Sequence, residues 1–172
     1  MASLIDNLIT TLNSENDQYQ KLLKLSDTKT DAIVKGDLDS LTKVTDNEQD
    51  IVSTIQALEK ERTKTMREIA KILNTDVAAL KLDTLIALLD KTPREQSELA
   101  KVHDALHNTL FNMKVVNERN EQLLKSALEM VDFNLNLVQS MKKAPETANY
   151  NRGAYSTGTE LGVATSGFDA KQ

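Results

Sequence analysis

Apolar positions recur every three or four residues along most of this chain, which is the period of one face of an α-helix. The first such stretch runs from about Ser3 to Lys35, with Leu4, Leu8, Leu12, Glu15, Tyr19, Leu22, Ser26 and Ile33 on its seam. Glu15 and Ser26 are polar gaps in an otherwise heptad-like stripe. Lys35-Gly36-Asp37 then reads as a stop and a restart. Gly36 suits the left-handed position that ends a helix, and Asp37 can cap the next one. So short a connection makes the two helices antiparallel neighbours.

The second stretch spans Leu38 to about Leu73, with a seam of Leu38, Leu41, Val44, Ile51, Ile55, Leu58, Met66, Ile69 and Leu73. Asn74-Thr75-Asp76 closes it. Two short helices are expected next, Val77 to Leu80 and Leu85 to Leu89. Thr92-Pro93-Arg94-Glu95 then signals a strong helix start, with a cap, a proline in the first turn and a glutamate three residues after the cap. The third stretch runs from Pro93 to about Lys143. Its seam is Leu99, Val102, Leu106, Leu110, Met113, Val116, Asn120, Leu123, Ala127, Met130, Asn134, Leu137 and Met141. Pro145 ends it. The fold class expected is all-α: an elongated antiparallel helical bundle of three long helices, with two short helices between the second and third. The domain expected covers residues 1–145. Residues 146–172 hold four of the five glycines, show no periodicity and read as a flexible C-terminal tail.

Composition narrows the functional classes. The 172 residues include no Cys, which removes disulfides, Cys-ligated metals and a thiol nucleophile. Aromatics at 3% argue against a β-sandwich or barrel. No apolar run approaches a membrane span and no secretory signal is visible, so the expected setting is the cytoplasm, without membrane insertion. The net charge is -5, and over residues 93–143 basic and acidic residues balance at seven each. Without a basic stripe to displace phosphate counterions, nucleic acid is not an expected partner. His103 and His107 lie four apart and could chelate zinc from one helix face, but Asp104 replaces the glutamate of the usual motif and no third His exists. No phosphate loop or calcium loop is present. The chain is expected not to be an enzyme and to need no cofactor.

One region exceeds the needs of a bundle. Eleven of the 19 residues from Leu123 to Met141 are apolar, too broad a set for one coiled-coil seam. Phe133 and Leu135 fall beside the expected stripe. The third helix also exceeds the other two by about 14 residues, roughly 20 Å, so part of it should lack a neighbour. An uncovered apolar helix face is a groove for a partner's amphipathic helix. The candidate partner-binding residues are Leu124, Leu128, Met130, Val131, Phe133, Leu135, Val138 and Met141. Burial of this face by neighbouring helices or by a second copy is the competing explanation. Tyr150, Tyr155 and Phe168 are candidate anchors in the tail. They could close over the groove or over a bound partner; a solvated tail without a role is the other reading.

The layout resembles the flagellar export chaperone family of the FlgN type. The resemblance rests on Leu-Ile-Asp-x-Leu at Leu4 to Leu8, the turn Lys35-Gly36-Asp37-Leu38-Asp39-Ser40-Leu41, and Leu58-Glu59-Lys60-Glu61-Arg62. Asn117-Glu118-Arg119-Asn120-Glu121-Gln122-Leu123-Leu124 and the C-terminal Gly167-Phe168-Asp169-Ala170-Lys171-Gln172 complete it. It implies a cytoplasmic, all-helical chaperone without catalysis. Such a protein would bind the C-terminal amphipathic segment of hook-associated (hook–filament junction) proteins, prevent premature assembly and deliver them to the flagellar type III export apparatus. A monomer or weak homodimer is expected. A structural coiled-coil adaptor with no export role is the alternative.

Overall fold

In the computed structural model, which describes residues 2–143, four helices follow one another: α1 (Ala2–Lys35), α2 (Leu38–Leu73), α3 (Leu82–Leu88) and α4 (Pro93–Lys143). No strand occurs among the described residues. The chain divides into two units, Met1–Val131 and Asp132–Gln172. The first holds α1, α2, α3 and most of α4. The described part of the second is the remainder of α4.

The joints form as the sequence predicts. Gly36 takes φ +66°, the left-handed conformation that a side chain would strain. The Asp37 carboxylate accepts hydrogen bonds from the Ser40 backbone N–H at 3.0 Å and from the Ser40 hydroxyl at 2.6 Å, capping α2. These bonds hold the Asp37 carboxyl below its ordinary pKa. Asn74 ends α2 with φ 53° and ψ 42°, its N–H bonded back to the Ala70 and Lys71 carbonyls.

Between α2 and α4 the structure differs from the expectation of two short helices. Residues 77–79 form turns, closed by Ala79 N–H and Leu80 N–H donating to the Asp76 carbonyl at 3.1 and 3.2 Å. The Asp76 side chain also accepts from the Ala78 N–H at 3.1 Å. Its capping potential is spent on a single turn that Lys81, in extended conformation, does not continue. The one short helix is α3. At the start of α4 the Thr92 hydroxyl donates to the Leu89 carbonyl at 3.4 Å, tying α4 to the preceding turn.

Side-chain pairs give the helix directions. Glu15 meets Arg62, Tyr19 meets Glu59 and Lys29 meets Glu48, so α1 and α2 run antiparallel. Asn16 meets Thr109, Ser26 meets Asn117 and Thr30 meets Asn120, so α1 and α4 run parallel at sequence offsets of 93, 91 and 90.

The apolar core of the first unit is concentrated in one half of it. Ile5, Leu8, Ile9 and Leu12 of α1 pack with Ile69 and Ala70 of α2 and with Leu99, Val102 and Leu106 of α4. Leu80, Leu85 and Leu89, from the connection that contains α3, close the fourth side. A Gln96 amide donating to the Ile86 carbonyl at 2.9 Å fixes α3 to α4. Next along the bundle is a layer of buried polar side chains: Thr11, Glu15 and Asn16 on α1, Thr65 on α2 and Thr109 on α4. Beyond it the interior is sparser, with Leu22, Ile33, Val44 and Ile55 buried beside Ser26 and Asn120.

Candidate functional site

The half of the first unit beyond the polar layer is open along one side. There α1 forms the floor and α2 and α4 the walls of a cavity of about 740 Å³. Leu22, Ser26 and Lys29 come from α1, Glu48 and Val52 from α2, and Met113, Asn117, Asn120, Glu121, Leu124, Lys125 and Leu128 from α4. Among the described residues no counterpart of α3 covers this side. The offset between α1 and α4 explains why the groove opens towards the end of α1. Added to Lys35, the last residue of α1, offsets of 90–94 reach Lys125 to Glu129 of α4. Leu124 and Leu128 thus stand where α1 runs out.

A hydrogen-bonded cluster holds the floor against α4. The Asn120 amide donates to the Ser26 carbonyl at 2.8 Å, and the Thr30 hydroxyl donates to Asn120 Oδ1 at 2.6 Å. The Ser26 hydroxyl donates to Asn117 Oδ1 at 3.4 Å. Asn120 is 3% exposed and both its amide nitrogen and its Oδ1 are hydrogen-bonded, which makes it a fixed part of the groove and not a loose contact. Lys29 on the floor places its Nζ 2.7 Å from Oε2 of Glu48 on the opposite wall.

The polar layer below the groove contains a titratable side chain. Glu15 is 1% exposed; Arg62 Nε lies 3.2 Å from its Oε1, yet that oxygen has no aligned hydrogen bond. Burial pushes the Glu15 pKa up; Arg62 opposes the shift and nearby Glu59 adds to it. The Tyr19 phenol, donating to Glu59 at 3.3 Å, is also raised, first by burial and then by the Glu59 and Glu15 charges. The sequence reading of Glu15 as a polar gap in a seam matches its place as a buried residue of the polar layer.

The expected partner-binding residues fall into three groups. Leu124 and Leu128 line the groove. Met130 and Val131 follow on the same helix, exposed to solvent. In the second unit Phe133, Leu135, Val138 and Met141 are all exposed on the described end of α4. From Leu128 to Met141, eight large apolar side chains are 48–71% exposed, Leu137 included. No described helix buries them. Their sequence spacing separates two sets on a helix. Leu124, Leu128, Val131, Leu135 and Val138 follow steps of four, three, four and three; Met130, Phe133, Leu137 and Met141 follow three, four and four. Leu135 shares the spacing of Leu124 and Leu128, whereas Phe133 shares that of Met130 and Leu137. Tyr150, Tyr155 and Phe168 lie outside the described residues.

Sequence reasoning missed Leu22, Val52 and Asn117 as groove residues. Leu22 and Val52 belong to α1 and α2, and only the helix pairing brings them to the α4 side, where Asn117 lies. The seam of α4 departs from expectation at Leu110 and again from Ala127 onward, where its members are exposed. Leu110 is 40% exposed, whereas Thr109 is 7% exposed and donates to Asn16 Oδ1 at 2.8 Å. His103 and His107 stack with ring centroids 6.4 Å apart, and His103 lies 3.5 Å from Asp83 and 3.3 Å from Asp104. No group of three or more metal-ligating side chains comes together among the described residues. No described helix is long and apolar enough to cross a membrane.

The family model described as FlgN protein matches residues 1–157. The uncharacterized protein YvyG of Bacillus subtilis (strain 168) is 28% identical over 134 residues, which cover 77% of this chain and 76% of that protein. No solved structure matches the chain. With the family match extending over far more than half of its 172 residues, this all-helical chain belongs to the FlgN family.

Proposed function

We propose that the protein is a cytoplasmic, non-enzymatic flagellar export chaperone. It binds the amphipathic C-terminal segment of hook-associated proteins, prevents their premature assembly and delivers them to the export apparatus. Family membership supports the chaperone class. The observation that carries the binding reading is the exposure of eight large apolar side chains between Leu128 and Met141, at 48–71%; within the first unit, Leu124 and Leu128 also line an open groove. Exposed apolar surface on this scale is costly for a protein that works alone and useful for one that holds a partner.

The chemistry is burial. A client terminus that is disordered in water folds into a helix against Leu124, Leu128, Val131, Leu135 and Val138, while Met130, Phe133 and Met141 offer a second contact strip. Methionines adapt to more than one client shape. Burial of apolar surface supplies the free energy and a negative heat-capacity change, opposed by the entropy of ordering the client. No nucleotide or metal enters this account. The chaperone acts as a monomer or weak homodimer, and Tyr150, Tyr155 and Phe168 add anchors from the C-terminal segment.

The test is a pull-down with the full chain from a lysate of a flagellated bacterium. Recovery of hook-associated proteins, lost when Leu128 and Leu135 are replaced by Asp, is the expected result. Recovery of no flagellar protein would contradict the proposal.

A further inference from the structure

The open groove of the first unit is banded along its length. At one level Leu22 and Met113 make an apolar patch, with Val52 on the facing wall. About one turn further, Ser26, Asn117 and Asn120 form a polar band, bordered by the Lys29–Glu48 ion pair. Beyond it Leu124 and Leu128 make a second apolar patch. Asn120 donates to the Ser26 carbonyl and accepts from the Thr30 hydroxyl. Asn117 is different: it is exposed, its Oδ1 accepts from Ser26, and its amide NH₂ has no protein partner among the described residues.

We propose that this groove selects a single amphipathic helix whose apolar stripe is interrupted by one small polar residue, Ser, Thr or Asn, and that this residue sets the register of docking. The inference deepens the chaperone reading and rests on its premise that the groove takes a client helix. Three observations argue for this occupant. The floor is one helix and the walls are two others, so the vacant side has the geometry of a missing bundle helix. An uninterrupted apolar helix would strip water from the Asn117 amide and the ion pair and return no hydrogen bond, an unfavourable exchange. The charges also match a helix that is neutral at its centre. Lys29 faces its partner Glu48 on one side, while Glu121 and Lys125, one turn apart, offer both signs on the other. A helix with apolar anchors about four to seven residues on either side of its polar position spans the bands. One buried polar position is the means by which coiled coils fix register.

The experiment is calorimetric titration of the full chain with two synthetic amphipathic peptides of about five helical turns. They have identical Leu anchors and differ only at the central groove-facing position, Asn in one and Leu in the other. Binding is counted as the part lost on Leu124→Asp, with thermal melting monitored for every variant. The Asn peptide is expected to bind the wild type about tenfold more tightly, the effect of one unsatisfied buried polar group. Asn117→Leu is expected to remove or reverse that preference. Equal or tighter binding of the Leu peptide to the wild type overturns the proposal. So does binding of neither peptide, or a preference unaffected by Asn117→Leu. The C-terminal segment of a hook-associated protein is titrated in parallel. If it fails to bind while the Asn peptide keeps its preference, the chaperone reading falls and the groove chemistry stands.

Discussion

The two halves of the first unit use the same three long helices and the same three-four spacing, yet they are filled differently. In one half, Ile5, Leu8 and Leu12 meet Ile69, Leu99, Val102 and Leu106, and Leu80, Leu85 and Leu89 close the remaining side. In the other, Leu22, Ile33, Val44 and Ile55 share the interior with Ser26 and Asn120, and the side that α3 would occupy is a groove. Three helices in contact leave one flank of their seam to be covered by something else. In the first half the chain covers it itself. In the second it leaves the flank open, and the side chains there are a mixture that tolerates water. The difference separates the residues that hold the fold from those free to take a partner.

Truncation in the closed half is the sharpest way to break this contrast. Leu85→Ala, at a residue 1% exposed, should cost about 2–5 kcal/mol and lower the denaturation midpoint accordingly. A change below 0.5 kcal/mol, measured by denaturant unfolding, would mean that α3 is not part of the core. The double substitution Phe133→Asp with Leu135→Asp should abolish client binding while leaving helical circular dichroism and the melting temperature nearly unchanged. A large loss of stability would reassign these residues to structure.

The polar layer between the halves gives a smaller effect with a defined sign. Burial raises the Glu15 pKa, so the folded state holds this proton more tightly than the unfolded chain does. Stability is then favoured below the ordinary carboxylate range and declines as pH rises towards the folded value. Glu15→Gln should track the wild type at low pH and gain on it as pH rises towards neutrality, in melts across that range. A variant that loses ground as pH rises would show that Arg62 outweighs burial. The smallest expected effect is that of salt. Client affinity should change little between low and physiological ionic strength, because the groove carries Lys29, Glu48, Glu121 and Lys125 in balance. A steep fall in titrations would replace an apolar mode of binding with an electrostatic one.

How much of this was legible in the sequence follows from which forces act locally. The joints at Gly36, Asp37 and Asn74 were readable because turn and cap chemistry involves neighbours in sequence. The seam of α1 was also readable, including its polar members Glu15 and Ser26, because strict spacing outweighs residue type. Leu110 was misplaced for the opposite reason. Hydrophobicity favoured it over Thr109, although spacing from Leu106 and Met113 allows Thr109, whose hydroxyl is satisfied by Asn16 from a distant helix. Asp76 was read as starting a helix, where its carboxylate caps only a turn. Of the groove's α4 side, the excess of apolar residues after Leu123 points to Leu124 and Leu128 but not to Met113 or Asn117. Leu22 on the floor and Val52 on the facing wall carry no such signal, since neither departs from an ordinary seam or surface pattern until α2 and α4 are placed on either side of α1.

Hydrogen exchange of the full chain, with and without the C-terminal segment of a hook-associated protein, tests the central claim most directly. The account predicts that the client slows exchange in Leu22–Lys29, Glu48–Val52 and Met113–Val138, and leaves Ile5–Leu12, Ile69–Leu89 and Leu99–Leu106 unchanged. Protection confined to the closed half, or no protection anywhere under saturating client, would contradict it.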